Sequence, residues 1–393
     1  MVETSDGAVL GKVAELTELA LSTYSLSEGR VEEDANGERR IHQGGYGDRQ
    51  IFELVQNAAD EMREPEDSAG RIQVVLADEH LYCANEGRPI TPEGAETILR
   101  MGVSRKRGGQ IGRFGVGVKS VLSVTRTPQF FSSSGSFGFD ADWAGEQILA
   151  AVNDGRRRRR LPPLAALENT PVLRLAKPLD IAAERRLDPV LDELLGWAVT
   201  VVRLPLLPGT GEGLGHDIQQ SIRSRAGDLP IREFPHLFQV FSSHVGAVVL
   251  EDRRRMPLVR REITVLSQGD ERTIREVRSG AKAVTEQHRI FSRPHTVDDE
   301  VRRGAGELHD RVTIDVSWAV PDYRVTTNAH GQTLYTVPND RGAFWAYFPT
   351  TYPTTLSGVL NASWKTNEDR QNLLQSPFNN GSCAWPPTSS SAH

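Results

Sequence analysis

Hydrophobic residues recur at helical spacing over residues 8–25 (Val9, Leu10, Val13, Leu16, Leu19, Leu21), which predicts an opening helix. Residues 26–48 are polar with scattered glycines and read as a loop. Helical spacing returns over residues 49–62. At about 100° per residue, Ile51, Leu54, Val55, Ala58 and Met62 gather on one side, and Glu53, Asn57 and Asp60 form a narrow polar stripe on the other. Taken alone, such a stripe is a solvated helix face or a row of working groups. Arg71-Ile-Gln-Val-Val-Leu-Ala and Leu81-Tyr-Cys-Ala-Asn then predict two antiparallel strands, the second running out through Asn85, Glu86 and Gly87 towards a pocket.

The middle of the chain reads as further strands near 129–139 and at Ala198-Val-Thr-Val-Val-Arg-Leu-Pro-Leu206. Pro205 and the glycine-rich 208–215 end the last run and mark a boundary. A helix-like stretch (216–226) and Phe234-Pro-His-Leu-Phe-Gln-Val-Phe241 open a second region, with strand signals at 246–251, 261–266, 288–292, 312–319 and 344–348. At 393 residues the chain exceeds one comfortable core. The expected organisation is α+β: a first domain over 1–210, a second α/β domain over 216–378, and a Pro/Ser-rich tail over 379–393 expected to be disordered.

Candidate chemistry concentrates in the first domain. A carboxylate one helical turn from an amide suits a Mg-nucleotide hydrolase, one group orienting water and the other reaching the metal. Downstream lies Gly108-Gly-Gln-Ile-Gly-Arg-Phe-Gly-Val-Gly-Val-Lys119, followed by an apolar run that predicts a helix over 116–124. Glycines let backbone approach a ligand closely, and N–H groups at a helix start attract phosphates. No Gly-Lys-Ser/Thr closes this loop and no βαβ dinucleotide fingerprint surrounds it, so it is not a P-loop. Residues 100–115 carry Arg105, Lys106, Arg107 and Arg113 between glycines and are expected to act as a mobile lid over a triphosphate.

Helix, strand pair and glycine loop in this order resemble the Bergerat-fold ATPases, the GHKL superfamily that includes gyrase B, ninety-kilodalton heat-shock chaperones, histidine kinases and mismatch-repair ATPases. Glu53-Leu-Val-Gln-Asn57-Ala-Ala-Asp60 is similar to the family's N-box, and Gly112-Arg-Phe-Gly-Val-Gly117 to its second glycine box. Sacsin-type ATPase-like repeats are nearer still. They share Leu-Val-Gln-Asn-Ala-Ala-Asp, Met101-Gly-Val-Ser-Arg-Lys106, Phe139-Asp140, Phe344-Trp-Ala-Tyr-Phe-Pro-Thr-Thr351 and the stretch Leu360–Leu374. The resemblance implies a Bergerat-type two-layer α/β sandwich with a mixed, mostly antiparallel sheet, then a transducer-like domain.

It also implies roles. Glu53 resembles the general base, Asn57 the Mg²⁺ ligand and Asp60 the acid supporting the nucleotide. Gly112, Phe114, Gly115, Val116 and Gly117 resemble the stretch wrapping the triphosphate, where Lys106, Arg113 and Lys119 add cations. Arg370 resembles the second-domain arginine that reaches the γ-phosphate. The chain departs from the family at the base. Where the family has Asp-x-Gly-x-Gly, its Asp accepting from the adenine amino group, this chain has Asn85-Glu86-Gly87-Arg88-Pro89. Asn85 or Glu86 takes the place of that Asp, and an amide can donate as well as accept.

The expected activity is therefore slow Mg-dependent ATP hydrolysis driving a conformational cycle in a chaperone-like or defence assembly. The alternatives are a non-hydrolysing nucleotide sensor or scaffold, or a DNA-associated GHKL ATPase. ATP and ADP, a protein partner or client, and a nucleotide-dependent homodimer are the expected partners. A net charge of −6 gives no general pull towards nucleic acid or membrane. The one strong basic run, Arg156–Arg160, reads as a solvated or acid-paired loop. No stretch is apolar enough to span a bilayer, no leader is evident, and two cysteines suit a reducing cytoplasm.

Overall fold

The computed structural model describes residues 6–43, 50–62, 69–100, 121–212, 214, 234–254, 256–327, 331–336, 341–367 and 372–383. The opening helix, α1 (Asp6–Leu26), buries Val9, Val13, Leu16, Ala20 and Tyr24, a stripe that stays inward at helical spacing. It lies against α5 (Ala141–Arg158), whose Ala144, Ile148 and Val152 join Ala20 and Tyr24 in one core. Gly155 sets the closeness of that crossing. A Cβ there would sit 1.7 Å from the Ser25 carbonyl oxygen, so no other residue fits without moving the helices.

Two sequence expectations are corrected here. Residues 26–48 do not form a loop throughout, because α2 spans Gly29–Gln43. Its inward positions are Val31, Ala35 and Glu38, too few apolar residues to show a periodicity. Polar anchors hold it instead: the Glu38 carboxylate accepts from the backbone N–H groups of Val172 (2.7 Å) and Leu173 (2.8 Å). Nor is Arg156–Arg160 a loop throughout; only Arg159 and Arg160 lie in a turn past the helix. Arg156, Arg157 and Arg158 form the last turn of α5, where cations complement the helix dipole. Arg156 is paired with Glu28 at 2.9 Å, and Arg158 pairs with Asp154.

The strands form one 15-stranded sheet. At its centre β1 (Gly70–Leu76) and β2 (His80–Asn85) pair antiparallel, as expected, with Val74 opposite Cys83. Beyond β2 come β6 (Thr200–Pro205), β3 (Gln129–Ser132), β4 (Phe137–Gly138) and β5 (Lys177–Pro178). On the other side β7 (Val245–Asp252) lies parallel to β1. Then follow antiparallel β8 (Val259–Gln268), β9 (Glu271–Arg278), β10 (Val284–Thr296) and β11 (Thr313–Thr327), with β12 (Thr333–Thr336) paired to β11. The far edge is β15 (Val359–Asn361), β13 (Arg341–Trp345) and β14 (Pro349–Ser357). Among the described strands only β1–β7 and β13–β15 pair in parallel, so the fold is α+β with a mixed, mostly antiparallel sheet.

Helices α3 (Gln50–Glu61) and α4 (Pro92–Leu99) cover one face of the central strands. Two short helices, α6 (Ile181–Leu187) and α7 (Pro189–Leu195), lie beyond the expected two layers. Leu191 and Leu194 of α7 pack on Val75, Tyr82, Phe131 and Val201 across the opposite face. The chain closes with α8 (Asp299–Arg303) and α9 (Pro377–Cys383). The last of these corrects the expected tail for residues 379–383: Asn379 is buried and its amide bridges the backbone of Lys365 and Leu374. Residues 384–393 lie outside the described residues. Among the described residues no helix is long and apolar enough to cross a membrane.

A charged cluster is buried beneath β8–β11. Arg261, 2% exposed, pairs with Glu276 and donates to the Phe234 carbonyl. Beside it Glu286 meets His236 at 3.2 Å, Arg324 at 2.7 Å and His288 at 3.9 Å. Burial outweighs the neighbouring carboxylate at His288 and pulls its pKa down to about 4. Burial works against the Glu286 carboxylate, but the surrounding cations prevail and hold it at about 2. His236, opposed by burial but pulled further by Glu286, is raised.

The signs differ. A depressed histidine contributes stability above its unfolded value of 6.5 that is lost as pH falls towards 4, because the unfolded chain takes up the proton first. Glu286 extends that loss from 4.5 towards 2, whereas the contribution of His236 is present below 6.5 and lost as pH rises through its folded value. Urea unfolding is therefore expected to show stability falling between pH 6.5 and 4 in the wild type, and falling less in His288→Gln. Parallel losses in both proteins would show that His288 does not carry the effect.

Candidate functional site

The site is organised by α3, buried nearly all round. Ile51, Leu54, Val55, Ala58 and Met62 pack in one core with Ile72, Val74, Leu81 and Cys83 of β1 and β2, as their spacing predicts. Phe52 turns another way, its ring 5.1 Å from Phe348 and 5.8 Å from Phe234. The polar stripe is not a solvated face: Glu53 is 2% and Asp60 0% exposed, while Asn57 is partly open. Carboxylates at that depth require partners. Glu53, Asn57 and Asp60 all take part in polar or electrostatic interactions. Glu53 sits in the first turn, where the helix dipole favours an anion.

Both ends of α3 are tied down. At the start, Gln50 Nε2 donates to Ser123 Oγ at 2.5 Å. Ser123 belongs to a short 3₁₀ turn over residues 121–123, directly after the glycine-rich stretch. Towards the end, His244 Nε2 donates to the Ala59 carbonyl at 3.0 Å, and the Arg88 N–H donates to the Glu61 carbonyl at 2.9 Å.

At that second end lies Asn85, the last residue of β2 and only 5% exposed. Its Oδ1 accepts from the Gly87 N–H at 3.0 Å. Glu86 is placed differently: it is exposed, and its Oε2 accepts from the Arg71 N–H at 2.8 Å. Of Asn85 and Glu86, Asn85 alone faces inward. Gly87 is the pivot. A Cβ there would come within 2.9 Å of both the Glu61 carbonyl oxygen and Asn85 Oδ1. Gly87→Ala is expected to destabilise the fold by about 1–3 kcal/mol. An unchanged denaturation midpoint would show that the turn yields freely.

Asn85 does not stand alone. Thr200 pairs with it across β6, and Ser132 pairs with Thr200 across β3. Cross-strand partners point to one face, here the face that carries α3. All three are buried, as is Ser134. Ser132 Oγ lies 3.3 Å from Thr200 Oγ1 and 3.2 Å from Ser134 Oγ, and accepts from the Ile90 N–H at 3.0 Å. Ser134 donates to the Ile90 carbonyl at 2.6 Å. Sequence reading missed this row. Its signal was Thr200, a hydroxyl at the same parity as Val202 and Leu204.

Lys106, Gly112, Arg113, Phe114, Gly115, Val116, Gly117 and Lys119 lie outside the described residues, as do Arg370, residues 101–115 of the expected lid, and residues 116–120 of the expected helix. Among the described residues no three His, Cys, Asp or Glu side chains converge as a metal site. Asn57 and Glu53 do offer the hard oxygen donors Mg²⁺ takes when phosphates and water complete its shell. A cleft of about 450 Å³, lined by His80, Pro205 and Gly209, opens at the other end of β2 and β6. Five residues of strand, roughly 17 Å, separate it from Asn85.

No known protein-family model matches the chain. Over 92 residues, 23% of its length, it is 35% identical to Protein NO VEIN of Arabidopsis thaliana. That stretch covers 3% of the plant protein, so the chain spans a small part of the relative it matches.

Proposed function

We propose that this chain is a nucleotide-binding module of the Bergerat type that hydrolyses ATP slowly in the presence of Mg²⁺. The observation carrying this reading is the Glu53–Asn57–Asp60 stripe, its two carboxylates buried, on a helix held at one end by Ser123 and at the other beside Asn85. Glu53 orients the attacking water and accepts its proton, and Asn57 offers its side-chain oxygen to the metal. Magnesium, when bound, neutralises charge on the phosphates. Asn85 holds the nucleotide's other end, supported by Asp60 and by the neighbouring Thr200 and Ser132. Calorimetric titration with ATP, beside a phosphate-release assay, tests the reading: saturable Mg-dependent binding with slow release supports it, and no binding removes it.

The second reading is a sensor that binds nucleotide without turnover. Arg88 and Pro89 stand where the family keeps a second glycine, and this favours it. Tight binding without phosphate release distinguishes it. We further propose a protein client or partner and a cytoplasmic setting. Cys83 suits a reducing compartment and is inert there, since burial pushes its thiol up to about 12. The DNA-associated alternative loses support from the basic run, where Arg156 and Arg158 are already paired with acids.

A further inference from the structure

We propose that Asn85 makes the base end of this site tolerant of 6-oxopurine as well as 6-aminopurine nucleotides, because it presents an amide N–H₂ where a carboxylate would only accept. This rests on the nucleotide reading above. The site has a direction along α3. Anions belong at its start, where the helix dipole is positive and Gln50 meets Ser123 just past the glycine-rich stretch. From Glu53 to Glu61 the helix rises about 12 Å, which brings the far end of an extended nucleotide to Asn85.

The orientation of the Asn85 amide is fixed by chemistry. Only its oxygen can accept from the Gly87 N–H, so Nδ2 is the other arm. Among the described residues Nδ2 meets no acceptor, and Asn85 is 5% exposed. The neighbouring hydroxyls of Ser132, Thr200 and Ser134 are engaged with one another and with the Ile90 backbone. The arm left to meet a base is therefore a donor. N1 of adenine accepts from it, and so does O6 of hypoxanthine or guanine. A carboxylate in the same place would accept from the adenine amino group but oppose O6 with a second acceptor.

The experiment compares Mg-ATP with Mg-ITP by titration calorimetry, using the full chain as wild type and as Asn85→Asp. Wild type is expected to favour ATP by less than about fivefold. Asn85→Asp is expected to favour ATP by roughly tenfold or more, the effect of one buried polar group left unpaired. The aspartate keeps the oxygen that holds Gly87, and the wild-type ratio decides the matter alone if the variant does not fold. A wild-type preference for ATP beyond fivefold, or an unchanged ratio in folded Asn85→Asp, overturns the inference and leaves the nucleotide site standing. Failure to bind either nucleotide overturns that site, and this inference with it.

Discussion

Glu53→Ala is expected to remove phosphate release while leaving ATP binding in place. A positioned general base contributes roughly 10²–10⁴-fold to rate, and slow turnover reduced by that factor falls to background. Glu53 is 2% exposed in the first turn of α3, about two helical turns from the Asn85 end. Glu53→Gln preserves the volume and should be equally inactive, which separates loss of the base from loss of packing. Asn57→Ala differs in kind. One turn along the same face, it should lose the Mg-dependent part of binding, so that affinity with and without Mg²⁺ becomes alike. Phosphate release and calorimetry on all three variants, with melting curves to confirm folding, read this directly. Equal release from wild type and Glu53→Ala would falsify the assignment.

The part of this site legible in the sequence is the part written in local periodicity. Ile51, Leu54, Val55, Ala58 and Met62 share a core because a 3.6-residue period leaves them little choice. The β1–β2 pair followed from alternation bounded by turns, and Cys83 lies in its core. Periodicity is silent where charged residues occupy inward positions. In α2 a buried Glu38 stands where an apolar residue would have signalled a helix. In β9 the inward pair is Ile274 and Glu276, the latter neutralised by Arg261 from β8, and the strand went unread. Nor could periodicity show that β7, far along the chain, returns to lie parallel to β1. Registers between distant strands depend on pairings that no local pattern encodes. The polar row of Ser132, Ser134 and Thr200 was hidden for the same reason, its members brought together only by two strand registers.

That long-range construction leads to the largest expected stability effect. Phe52→Ala should destabilise the protein by about 3–5 kcal/mol, the usual range for truncating a buried phenylalanine. Phe52 is 1% exposed, with Phe348 edge-on at 5.1 Å and Phe234 at 5.8 Å. Phe238 closes the group, 5.5 Å from Phe234 and stacked at 5.0 Å on Phe348. Those partners come from far along the chain, so the cluster ties the N-terminal half of α3 to distant segments. Phe52 directly precedes Glu53, and tilting the helix there moves the carboxylate relative to any bound phosphate. A misplacement of about 1 Å can cost on the order of 10²-fold in rate. Phe348→Ala should therefore reproduce both defects, although it lies in a different part of the sequence, and Phe52 and Phe348 should couple by about 0.5–3 kcal/mol in a double-mutant cycle. Urea denaturation of the two single variants and the double, each paired with a phosphate-release measurement at a concentration where the protein is folded, provides the check. If Phe348→Ala unfolds at a much lower midpoint yet releases phosphate at the wild-type rate, the cluster stabilises the fold without positioning α3. If its midpoint is unchanged, the tie itself does not exist.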